Sequence, residues 1–70
     1  MKTKYKMTYV GDRDETIIRR VDHEPIGTVE REKLVQHLQL KEYIVAGGTD
    51  SSIYVSGPLF GYKEKPTFSL

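Results

Sequence analysis

Between Gly27 and Leu40 lies the one stretch of this chain with a helical repeat, and it limits the possible folds more than any other feature. Leu34 and Leu38 stand four residues apart with Val35 beside them, forming one apolar stripe on a 3.6-residue period. The spacing predicts a helix from about Thr28 to Gln39. Thr28 is expected to accept a hydrogen bond from a free amide of the first turn, and Glu30 and Glu32 suit its positive dipole end. A single helix with so narrow a stripe must lay it against something flat, and the flanking segments supply strands.

Lys4-Tyr5-Lys6-Met7-Thr8-Tyr9-Val10 alternates cleanly in strand-forming residues, with Tyr5, Met7 and Tyr9 on one face and Lys4, Lys6 and Thr8 on the other. Gly11 to Glu15 reads as a turn, and Thr16 to Val21 as the second strand of a hairpin. The facing of that strand is ambiguous, because Ile17-Ile18 and Arg19-Arg20 place like residues on both sides. Asp22 to Gly27 is a loop, since Pro25 forces Glu24 to be extended. After the helix, Tyr43 to Ala46 reads as a buried strand, Gly47 to Ser51 as a turn and Ser52 to Ser56 as the returning strand. Gly57-Pro58 ends it. Leu59 to Tyr62 offers a short C-terminal edge strand, and Lys63 to Leu70 is expected to be loose.

These elements predict an α+β domain of two layers in the order β-β-α-β-β. Two antiparallel hairpins form one sheet, a single helix packs on one of its faces, and a C-terminal edge strand is an option. Seventy residues make one such domain, from residue 1 to 70. The expected core is Tyr9, Val21, Leu34, Val35, Leu38, Leu40, Ile44, Val45, Ile53 and Val55, with one or other of Ile17 and Ile18.

The chain has no cysteine, so a disulfide staple, a thiolate metal site and a cysteine nucleophile are excluded. No apolar run is long enough for a signal peptide or a membrane span, and the expectation is a soluble cytoplasmic protein with no membrane partner. Eleven basic and ten acidic residues leave a formal charge of +1, which argues against both a nucleic-acid sponge and an acidic mimic of DNA.

Residue types that carry chemistry are sparse. His23 and His37 match no metal-ligand spacing and read as surface or capping residues. Asp12-Arg13-Asp14-Glu15 begins like a calcium loop but lacks its later ligands, and reads as a solvated turn. Gly47 to Ser52 resembles an anion nest, but it leads from strand to strand without a lysine and reads as a hairpin loop. The serines have no nucleophile-elbow context. No enzyme, cofactor or metal is expected.

The most suggestive residues are basic. Lys4 and Lys6, with Arg19 or Arg20 beside them, are a candidate contact surface for a nucleic acid or another partner. Leu59, Phe60 and Tyr62 are a candidate apolar interface, either with a partner or between two copies in a homodimer. Residues 17–40 superficially resemble the swapped-hairpin DNA-binding regulators of bacteria. They depart from them at the helix entrance, where Thr28-Val29-Glu30 replaces an Ile-Pro step, and in the additional N-terminal strand.

Two functional expectations follow. The first is a non-enzymatic protein-interaction module, a regulator or inhibitor of another protein, of the small kind that phages and mobile elements encode. The alternative is a small nucleic-acid-binding regulator using a basic sheet face.

Overall fold

The computed structural model describes residues 2–57 and 66–70. Its elements are β1 (Lys4–Val10), a 3-10 turn (Gly11–Arg13), β2 (Glu15–Arg20), α1 (Thr28–Leu40), β3 (Val45–Thr49), β4 (Ser52–Ser56) and β5 (Thr67–Ser69). The strands form one antiparallel sheet in the order β3-β4-β2-β1-β5, and α1 covers one face. The α+β architecture expected from the sequence is the one observed, with a C-terminal edge strand.

Register decides what each face carries, because residues paired across strands lie side by side on the same face. Met7 pairs with Ile18, and Ile18 with Ile53, giving a row that meets Leu34 and Leu38 of the helix. Tyr5, Ile26 and Val55 complete this buried cluster, with Val35, Tyr43, Val45 and Phe68 packed at its margin. Ile17 is also buried, but on the opposite face, where Thr8 and Tyr54 flank it. Two adjacent isoleucines thus serve two faces, which resolves the ambiguity of the second strand.

Several expectations require correction. Tyr9, Val21, Leu40 and Ile44 are exposed, the last two to 85% and 70%, while Tyr5, Met7 and Ile26 take core positions instead. The helix is capped by Gly27 rather than by Thr28, which is already helical. Glu30 reaches back and accepts the Gly27 N–H at 3.3 Å.

At the other end of the helix, Glu42 adopts a left-handed φ of 68°. The Glu42 N–H donates to the Gln39 carbonyl at 2.9 Å, and the Tyr43 N–H to the Leu38 carbonyl at 3.0 Å. This is the Schellman arrangement, which folds Tyr43 back onto the core instead of into the sheet. The third strand therefore starts at Val45, not Tyr43, and it is largely exposed rather than buried. It runs through Gly47 and Gly48, which the sequence suggests as a turn, and an irregularity at Ala46 shifts its register. Gly48 is needed there: an added Cβ would lie 2.9 Å from Arg31 Nη1 and 3.2 Å from Ile53 Cα, and closer still to the Ser52 carbonyl.

Residues 66–70 are not loose. Pro66 accepts from the Met7 N–H at 2.7 Å, Thr3 and Leu70 exchange two backbone bonds, and Thr67–Ser69 pairs with Lys4–Lys6. Phe68 anchors the strand, its ring stacked on Tyr5 with centroids 5.3 Å apart and on His37 at 5.7 Å. Residues 59–62, proposed above as the edge strand, lie outside the described residues.

Candidate anion-binding face

Among the described residues no second element packs on the face of the sheet opposite the helix. Alternation along β1 puts Lys4, Lys6 and Thr8 on that face, since Tyr5 and Met7 are in the core. Arg19 pairs directly with Lys6, so the two cations stand side by side about 5 Å apart at Cβ. Lys4 lies one pleat further along, at about 7 Å from Lys6. The structure thus brings three of the sequence's four candidate cations together. Among the described residues no salt bridge is formed by Lys4, Lys6 or Arg19. The acidic Glu15 sits at the far end of β2, 3.7 Å from Arg13.

Arg20 goes elsewhere. It pairs with Tyr5 on the helix side, where Nη1 meets Glu30 at 3.1 Å, while Nε and Nη2 hold the two oxygens of Asp22 at 2.9 and 2.6 Å. The Asp22 bond, the largest influence, makes this guanidinium still harder to deprotonate, and the same bond holds the Asp22 carboxyl below the usual carboxylate range. Tyr5 donates its phenol to Glu30 Oε2. Burial, then that bond to a carboxylate, push the Tyr5 phenol well above its ordinary value. Burial by itself opposes ionisation of Glu30. The bonds from Tyr5 and the Gly27 N–H, with Arg20 nearby, outweigh it and hold the carboxyl below its ordinary value. Arg20 therefore belongs to an internal polar network and is not a free cation for a partner.

A shallow hollow of about 300 Å³ lies on the uncovered face, lined by Lys6, Thr8, Arg19, Arg20, Val21 and His23. Sequence reasoning did not associate His23 with the basic strand residues, because it stands in a loop with no periodicity. Another hollow, of about 400 Å³, lies on the helix side around Thr3, Tyr5, Val29, Glu30, Lys33 and Leu70. Its carboxylate is already engaged by Tyr5 and Arg20.

The remaining candidates have local roles. His37 is half-buried against Phe68 rather than on a free polar side of the helix. Asp14, at a left-handed φ of 50°, closes the first hairpin and accepts the Tyr9 hydroxyl at 2.8 Å. Thr49 and the buried Ser52 share a hydroxyl hydrogen bond at 2.6 Å, in the segment that resembled an anion nest. Among the described residues no group of three or more His, Cys, Asp or Glu side chains is placed to hold a metal ion. Nor is any helix there long and apolar enough to cross a membrane. The candidate interface Leu59, Phe60 and Tyr62 lies outside the described residues.

The β1–β2 hairpin pairs within one sheet of its own chain, with β4 on one side and β5 on the other. No protein-family model, curated protein or solved structure matches the chain, so its reading rests on the geometry above.

Proposed function

We propose that this chain is a small non-enzymatic regulator that binds nucleic acid through the uncovered face of its sheet. The observation that carries this reading is the direct cross-strand pairing of Lys6 with Arg19, with Lys4 beside them. Like charges placed opposite each other on a sheet destabilise it, and an anionic partner converts that cost into binding free energy. The cluster is contiguous, which suits a polyanion; cations scattered over the surface would suit a protein partner.

The test is fluorescence anisotropy with labelled single-stranded and duplex oligonucleotides over a salt series. Three phosphate contacts predict a slope of log K against log salt of about −2 for a single strand. Lys6→Glu with Arg19→Glu should abolish binding while the far-UV circular dichroism stays unchanged. Binding that ignores salt, or none to either nucleic acid at low salt, would sink the reading.

The second reading is the protein-interaction module. Support for it comes from Leu40 and Ile44, exposed to 85% and 70% on either side of the helix terminus and close in sequence to the edge strand β3. Exposed apolar side chains close together in sequence suit a protein partner. Leu40→Ser with Ile44→Ser should then weaken capture of that partner and leave nucleic-acid binding intact.

A further inference from the structure

We infer that the hollow between β1, β2 and the loop after β2 seats one backbone phosphate of a single-stranded nucleic acid, with a neighbouring base laid on Tyr54. This inference rests on the basic-face reading and goes beyond it by naming the phosphate seat, the stacking residue and the strandedness.

The residues that line the hollow include hydrogen-bond donors of several kinds: Lys6, Arg19, Thr8 and His23. Among the described residues no carboxylate lines it. The loop that carries His23 is fixed by its own bonds. Asp22 is clamped by Arg20 and accepts the Glu24 N–H at 3.0 Å, and the His23 N–H donates to the Arg20 carbonyl at 3.1 Å. His23 itself takes a left-handed φ of 65°, a conformation that histidine adopts more readily than most residues. Of the two acids flanking His23, Asp22 is thus committed to Arg20, and Glu24 is exposed and does not line the hollow. Hydroxyl, imidazole, ammonium and guanidinium groups are the usual donors to phosphate oxygens, and a seat of this kind fixes register without reading sequence.

Strandedness follows from the neighbouring row. Thr8, Ile17 and Tyr54 lie side by side across β1, β2 and β4, and on its far side Tyr54 faces Gly47, which has no side chain. Tyr54, half-buried, therefore stands about 10 Å from Thr8, two strand spacings away, and among the described residues nothing fills the space over Gly47 beside it. A nucleotide whose phosphate sits over Lys6 and Arg19 can lay a nearby base on that ring. Only an unpaired base presents its flat face in this way, so the geometry favours a single strand over a duplex.

The experiment uses the full chain and a fluorescein-labelled oligothymidylate of about 15 nucleotides in low salt. His23→Ala and Thr8→Val are expected to weaken binding several-fold each, and Tyr54→Leu about tenfold, with Tyr54→Phe close to wild type. A duplex of equal length should bind more weakly than the single strand. Circular dichroism and melting temperature confirm that each variant is folded, and Tyr54→Phe with Tyr54→Leu separates loss of stacking from loss of fold. If Lys6→Gln and Arg19→Gln weaken binding while His23→Ala, Thr8→Val and Tyr54→Leu all behave as wild type, the phosphate seat is wrong and the basic face stands. If the wild type binds no nucleic acid at low salt, or if polyglutamate competes as well as an oligonucleotide of equal charge, the seat and the basic face fall together.

Discussion

Tyr5→Phe isolates one bond of the internal network with little disturbance of packing. The ring is 2% exposed and stacks on Phe68, and phenylalanine preserves both features. What is lost is the phenol's bond to the Glu30 carboxylate. Hydrogen bonds to a charged partner contribute about 1.5–3 kcal/mol, so the variant should be destabilised by roughly 2 kcal/mol at neutral pH. For a domain of this size that corresponds to a fall in melting temperature of about 10 °C.

The loss should depend on pH, and its sign follows from Glu30. That carboxyl is held below its ordinary value in the folded protein, so its contribution is complete above the unfolded carboxylate range, about pH 4.3, and disappears as pH falls through the folded value. Thermal melts of wild type and Tyr5→Phe at pH 7 and again near pH 2 should therefore show a wide gap narrowing in acid. Equal melting temperatures at pH 7, or the same gap at both pH values, would refute the reasoning.

Other substitutions test separate parts of the fold. Leu38→Ala should cost about 2–5 kcal/mol through the cavity it leaves, a large part of the roughly 4–10 kcal/mol that stabilises a domain of this length, and urea unfolding measures it. Gly48→Ala should cost about 1–3 kcal/mol, because the Ser52 carbonyl cannot move aside as the Arg31 side chain can; an unchanged midpoint would show that β3 adjusts freely. Glu42→Gly should stabilise the protein by about 1 kcal/mol, since glycine takes the left-handed position without the side-chain penalty, and the melting temperature should rise by several degrees.

The helix, β1 and β4 were legible because their residues obey a simple period. Leu34 and Leu38 define one stripe, and Tyr5 and Met7 alternate with lysines. The second strand resisted because Ile17-Ile18 and Arg19-Arg20 have no alternation. Only the pairing of Lys6 with Arg19 assigns Arg19 to the open face and Arg20 to the helix side. The start of β3 was misplaced because the left-handed residue that closes the helix is Glu42, where glycine is the usual signal. Of the glycines that looked like a turn, Gly48 serves a close approach to the β4 backbone and the Arg31 side chain, while Gly47 supplies a φ of 142°. For the terminal strand, Thr67-Phe68-Ser69 is too short to announce itself, and its place is set by the stacking of Phe68 on Tyr5 and His37. Nothing in the sequence joined His23 to the basic strand residues, since the contact depends on a turn that Arg20 and Asp22 hold.

The attachment of β3 has a consequence for how the domain opens. This strand is nearly all exposed, so little apolar burial keeps it in place. Beyond its ladder to β4, it is held at its turn. Arg31 donates to the carbonyls of Thr49 and Ser52, and the Ile26 N–H donates to Asp50 at 2.8 Å. The β3 amides should therefore exchange with deuterated solvent far sooner than those of β2 at the centre of the sheet, through a local opening that leaves the rest folded. Arg31 is one of these ties, so removing its side chain should accelerate exchange in β3 more than in β2.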